Sequence, residues 1–274
     1  MTSLKKRKRQ QLDLSKQVKI ADGVFWVGSS QKTATLNSNP YLIVDGDEAV
    51  LIDGGSRFDF STVVLKIMRT GLELKQISRL IYQNYGPDSC GSLPYLEALI
   101  DSPDLQIISH EENNTFIDFI SPGIPKECIE AIDLQYKFKS GRRLYFYHVP
   151  YAHTAGSFLT YDTKTKILFT GDLYSSLDGS MILYTDLQKD CNTCEPTTVC
   201  PRSNMPCELI SIADFHIKMM TSANALGYAL NQISKLDISM IAPRHGNILH
   251  TKLAIELATN QLKTIKSIGI DRYT

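Results

Sequence analysis

Leu168-Phe169-Thr170-Gly171-Asp172-Leu173 runs a short apolar strand into a glycine and then a carboxylate. Two other stretches have the same layout: Arg143 to Val149 leads to His153 near Gly156, and Ile238 to Ala242 leads to His245 beside Gly246. Strand-end loops on a rigid sheet are where chemical groups converge, and glycine lets the backbone turn sharply there. An imidazole, a carboxylate and a second imidazole suit zinc, iron or manganese, and Asp172 has two oxygens with which to bridge two ions. The remaining histidines, His110, His148, His216 and His250, lack this setting and are read as ordinary surface or core residues.

Outward from these stretches, the chain alternates between strands and helices. Residues 23–28, 41–44 and 48–53 read as strands, the last two closing a hairpin at Asp45-Gly46. Residues 58–69 carry apolar side chains at helical spacing. A strand at 77–82, a helix at 93–100, a strand at 106–109 and a helix at 113–120 follow. Further strands are expected at 143–149, 157–162, 166–170 and 238–242, with helices over about 213–234 and 254–268. Strands in two groups, each followed by helices, predict an α/β sandwich of two mixed sheets face to face with helices outside, in one domain over residues 19–274.

Bulk properties bound the function. The 274 residues are 43% hydrophobic, ample for a packed core, and the formal net charge is zero. Nothing in the overall charge favours a nucleic-acid or membrane partner. No apolar run approaches the roughly 18 residues needed to cross a bilayer. The N-terminus lacks the apolar segment of a secretory signal, so a cytoplasmic protein is expected. Lys5-Lys6-Arg7-Lys8-Arg9 reads as part of a basic, solvated, disordered tail over residues 1–18, with a localisation signal or polyanion contact as the alternative.

Four motifs occur in order: Leu51-Ile52-Asp53-Gly54-Gly55, Ala152-His153-Thr154-Ala155-Gly156-Ser157, Leu168 to Leu173, and Ile241-Ala242-Pro243-Arg244-His245-Gly246. With this ordered set the chain resembles the metallo-β-lactamase superfamily, and within it the di-iron branch of flavodiiron and oxygen-binding di-iron proteins. Asn39-Pro40-Tyr41-Leu42-Ile43 and Gly91-Ser92-Leu93-Pro94 add to the likeness, which covers roughly residues 20–268. The resemblance implies a metallo-β-lactamase-type αββα sandwich. It also implies metal ligands at Asp88, His153, Asp172 and His245: Asp172 bridging, His153 on a first metal, and Asp88 with His245 on a second.

The first ligand motif of that branch reads His-x-Glu-x-Asp-His-x-Gly. Anchored on Gly91, its ligand positions fall on Asn84, Gly86, Asp88 and Ser89, so only the aspartate is kept. The first metal would retain too few ligands, while Asp88, Asp172 and His245 form an oxygen-rich set for iron or manganese. One iron, weakly held, is therefore favoured over two. The resemblance implies a module that binds or senses oxygen or a related gas, with a redox partner for any turnover and pairing into a homodimer. The chain ends soon after its last predicted helix, so no flavin domain is expected. A metal-dependent hydrolase and a non-catalytic scaffold with a decayed site are the alternatives.

Cys191, Cys194, Cys200 and Cys207 crowd into a proline-punctuated loop at 188–208. Four thiolates suit zinc or an iron–sulfur cluster, which makes this loop a candidate second metal site. Reversible thiol oxidation and no special role are the other readings.

Overall fold

The computed structural model describes residues 12–30, 37–177, 181–194 and 198–274. In chain order, β1 (Val18–Ala21), β2 (Val24–Trp26), β3 (Tyr41–Asp45) and β4 (Glu48–Ile52) form an antiparallel meander. After α1 (Phe60–Met68) comes β5 (Ile77–Ile81), then α2 (Pro87–Cys90) and α3 (Leu93–Ile100). β6 (Gln106–Ser109), α4 (Glu111–Ile120) and β7 (Lys126–Cys128) complete the first layers, and β4 through β7 run parallel.

The second sheet contains β8 (Gln135–Lys137), β9 (Arg143–His148), β10 (Phe158–Asp162), β11 (Ile167–Phe169) and β12 (Met240–Ala242). It is antiparallel except for the parallel β11–β12 pair. Helices α5 (Glu208–Met219), α6 (Ala223–Ile233) and α7 (Lys252–Thr264) cover its outer face.

Strand periodicity builds the layers, because successive side chains point to opposite faces. Tyr41, Ile43, Val50, Ile52, Ile81 and Ile108 face inward and meet Phe146, Phe158, Ile167 and Phe169 of the other sheet. Their neighbours Leu42, Leu51, Leu80 and Ile107 pack outward against Val63, Ile67, Leu93 and Leu96 of the helices. On the far side Leu159, Leu168 and Ile241 do the same against Ile212, Leu226 and Leu257. The result is the expected αββα sandwich of two mixed sheets.

Two sequence expectations change. The helix anticipated over 213–234 is two helices: α5 ends at Met219 and Ser222 caps α6 by accepting from the Ala225 amide. Residues 1–11, including the basic run, lie outside the described residues, but within 12–18 of the expected tail Leu14 and Val18 are half-buried. Leu14 and Val18 lie against the inter-sheet core, and the Lys66 ammonium donates to the Leu14 carbonyl at 2.8 Å. Strands β1, β7 and β8 were not anticipated, because charged and polar residues (Lys19, Lys126, Glu127, Gln135, Lys137) break their apolar signal.

Candidate metal centre

The parallel strands β4 and β5 end at one edge of the first sheet, and β9, β11 and β12 end at the matching edge of the second. The loops that follow them converge there. They carry Asp53, Asn84 and Asp88 from the first sheet, and His153, Asp172, Arg244 and His245 from the second.

Asn39, just before β3, and Tyr41 pin the last of these loops. The Asn39 side-chain amide donates to the carbonyls of Pro243 (3.1 Å) and Gly246 (2.9 Å), and the Tyr41 hydroxyl donates to Pro243 at 2.8 Å. Gly246 has a positive φ of 80°, and a Cβ there would sit 2.1 Å from the Ser176 hydroxyl. Only glycine lets the chain turn so tightly past the site.

All four predicted ligands meet. His245 Nε2 lies 3.2 Å from Asp88 Oδ2 and 3.6 Å from Asp172 Oδ1, and His153 Nε2 lies 3.8 Å from Asp172 Oδ2. His245 Nδ1 is 2.7 Å from the Asn37 carbonyl. A carbonyl oxygen only accepts, so Nδ1 carries a proton and the ring is fixed with Nε2 towards two carboxylate oxygens. A carbonyl behind an imidazole is also the usual way a protein orients a metal-binding histidine.

Arg244 was quoted in its motif but given no role, and the structure puts it at the centre. Its side chain is 1% exposed. Nε donates to Asp53 Oδ2 at 3.0 Å, and Nη1 lies 3.2 Å from Asp172 Oδ2 and 3.6 Å from Asp88 Oδ2. Burial works against the guanidinium charge, yet Asp172, Asp53 and Asp88 hold its pKa above the ordinary value. For Asp88, burial opposes ionisation, but the His245 contact and the Arg244 charge hold its carboxyl well below the usual range. Burial pushes Asp53 up, with Arg244 working against it. The readable signal was an arginine directly after an apolar strand and Pro243, beside a candidate ligand.

Asn84 also changes its part. Its amide nitrogen donates to Asp172 Oδ2 at 2.7 Å, and its oxygen accepts from the Gly86 amide and the Ser89 hydroxyl. It braces the carboxylate instead of offering a lone pair. Cys90 is fully buried and burial pushes its thiol up, so it offers no thiolate. Gln83, His153, Phe158, Gly171, Asp172 and Arg244 line a cavity of about 10 Å³ beside these groups, enough for one water-sized body.

Residues 36–246 match the family profile described as ODP family beta lactamase. The chain belongs to that family. Its fold is similar to a solved structure described as a peroxy diiron species of the chemotaxis sensor ODP, at 22% identity and a TM-score of 0.72, covering 94% of this chain and 97% of that one. It is also similar to the rubredoxin oxygen:oxidoreductase of Desulfovibrio gigas, at 16% identity and a TM-score of 0.74, over 90% of this chain and 61% of that one. Among curated proteins, the type A flavoprotein fprA of Rhodobacter capsulatus is 23% identical over 247 residues, 85% of this chain and 52% of the relative. The chain thus spans about half the length of that relative, and a third of a putative diflavin flavoprotein of Synechocystis. Membership of the ODP family accounts for the ordered strand-end motifs.

The loop cysteines are a separate feature. Cys191, Cys194, Cys200 and Cys207 all line one apolar cavity of about 160 Å³. Among the described residues no disulfide joins any cysteine, and these four sulfurs do not close to metal-ligand spacing. No helix among the described residues is long and apolar enough to cross a membrane.

Proposed function

We propose that this chain is a non-haem iron module that binds or senses oxygen or a related small gas through an incomplete di-iron site, with one ion held by Asp88, Asp172 and His245. The observation that carries this is the orientation of His245. With Nδ1 directed at the Asn37 carbonyl, Nε2 faces Asp88 and Asp172, which leaves this nitrogen and two carboxylates on the side where a cation would bind.

Charge favours one divalent ion. Asp53, Asp88 and Asp172 against Arg244 leave two uncompensated negative charges, which one divalent cation neutralises and two would overshoot. Arg244 Nη1 touches the same carboxylates, so guanidinium and metal compete and the ion is weakly held. Consistently, His245 reaches each carboxylate, yet with the guanidinium against both of them the three groups do not form a set whose ligand atoms all lie within 4.8 Å.

Ferrous iron at these oxygens would supply an open coordination position for a diatomic ligand. His153 Nδ1, buried without a hydrogen-bond partner, and the small cavity beside it put a polar group next to that position. Asn84 holds Asp172 in orientation, and Gln83 closes the wall by donating to the Phe158 and Phe169 carbonyls at 3.0 and 2.8 Å. Cytoplasmic residence, a redox partner for any turnover and assembly into a homodimer complete the reading, and size-exclusion chromatography tests the last.

The test is reconstitution with ferrous iron without oxygen, followed by metal analysis and spectroscopy on adding oxygen. One iron per chain at this site, a spectral change with oxygen, and loss of both in Asp172→Asn with unchanged circular dichroism are expected. Zinc retention with hydrolytic activity supports a hydrolase instead. No main-site metal supports a scaffold.

The loop cysteines carry an independent proposal. Their shared cavity gathers four thiols that zinc or an iron–sulfur cluster would draw together. Acid-labile sulfide and zinc assays, compared with Cys194→Ser, test it.

A further inference from the structure

A second cluster lies beyond the strand-end site. His110 follows β6 and caps α4, Glu130 sits in the short turn Ile129–Ile132 after β7, and His148 closes β9. Each offers a donor atom, and these atoms all lie within 4.8 Å of one another, which no other such group among the described residues achieves. The two imidazoles stack at 4.1 Å between centroids, 24° from parallel. His110 Nε2 lies 3.2 Å from Glu130 Oε1, and the Cys128 thiol donates to the other Glu130 oxygen at 2.7 Å. The carboxylate is therefore oriented from behind, as metal-binding carboxylates commonly are.

His148 is ready to bind a cation. Its Nε2 lies 3.2 Å from the Ala155 carbonyl, which can only accept, so the ring proton is there and Nδ1 carries the lone pair. Glu130 is 47% exposed, which leaves a path from solvent.

We propose that His110, Glu130 and His148 form a second divalent-cation site of the zinc type, with water in the remaining position. Two imidazole nitrogens and one carboxylate oxygen, with an open fourth position, match the ligand chemistry zinc prefers. The ion has one structural consequence. His110 Nδ1 accepts from the Glu112 amide at 3.1 Å, so the free ring carries its proton on Nε2. Binding through Nε2 moves that proton, by way of solvent, to Nδ1 and ends the helix cap. The site also reaches the loop of the main centre. The Ala155 carbonyl held by His148 is two residues from His153, and Asn113 of α4 donates to the adjacent Gly156 carbonyl at 2.8 Å.

The experiment is a zinc titration of the metal-stripped full chain by equilibrium dialysis, with amide NMR. The wild type is expected to bind one equivalent more than His148→Ala, and one more than Glu130→Gln, a variant at a half-exposed position that leaves folding intact. The Glu112 amide resonance should move as this equivalent binds. Asp172→Asn should retain it, which separates this site from the strand-end centre. Equal stoichiometry in wild type, His148→Ala and Glu130→Gln, with a static Glu112 resonance, overturns the proposal whatever Asp172→Asn does.

Discussion

Arg244 Nη1 lies 3.2 Å from Oδ2 of Asp172, so a guanidinium rests against the carboxylate that the family likeness casts as a bridge between two metals. The same side chain reaches back to Asp53 at 3.0 Å. A permanent positive charge inside the ligand set changes how many ions it can take.

Arg244→Ala should destabilise the metal-free protein by about 3–5 kcal/mol, the usual cost of leaving buried carboxylates without their partner. Divalent metal should restore much of that loss, because the ion replaces the missing charge. Urea unfolding with and without manganese measures both effects. A metal-independent midpoint equal to wild type would count against the charge argument.

Ligand count and charge make different predictions for Asn84. Asn84→His supplies an imidazole but leaves Arg244 in place, so iron should stay at one equivalent in the main site. Combined with Arg244→Ser it should rise toward two. Anaerobic metal analysis of the single and double variants decides which quantity limits the site.

His216 sets a pH dependence. Its Nδ1 donates to the Ile212 carbonyl at 2.7 Å and its Nε2 accepts from the Tyr174 amide at 3.0 Å, so the neutral ring is satisfied on both sides. Burial brings its pKa from 6.5 down to about 4. As pH falls from 6.5 to 4 the unfolded chain gains this proton before the folded one, so folding weakens across that window. The contribution is roughly 3 kcal/mol at full extent. His216→Gln should flatten the stability profile between these pH values, read from urea midpoints.

The Arg142–Asp162 pair lies within the second sheet, away from the site, and Arg142 reaches from it towards the first. Arg142 Nε donates to Asp162 Oδ1 at 2.9 Å, Nη2 meets the other oxygen, and Nη1 approaches Asp45 of β3 at 3.8 Å. Both partners are buried, so Asp162→Ala should cost about 3–5 kcal/mol by stranding the guanidinium. The thermal midpoint should fall while the main-site iron stoichiometry of the folded protein stays the same.

Local patterns made much of the fold legible. Uninterrupted apolar runs such as Tyr41–Ile43 and Ile167–Phe169 declare burial on both faces, and glycines near them declare turns. The position of α5's end was not legible, because Met220 and Thr221 interrupt the helix without a proline or glycine to mark it. Ordered motifs gathered Asp88, His153, Asp172 and His245, since parallel strands deliver their ends to one edge.

By itself, then, the sequence determined the layered sandwich, the edge where chemistry collects, and the absence of the first histidine pair, all of which follow from spacing along the chain. Only the tertiary structure decided what fills the gap. Arg244 and Asp53 are 191 residues apart, as are few pairs that the sequence could be read to join, and His110, Glu130 and His148 come from three separate strand ends. Electrostatic balance at a buried point sums charges by distance in space, which order along the chain does not reveal.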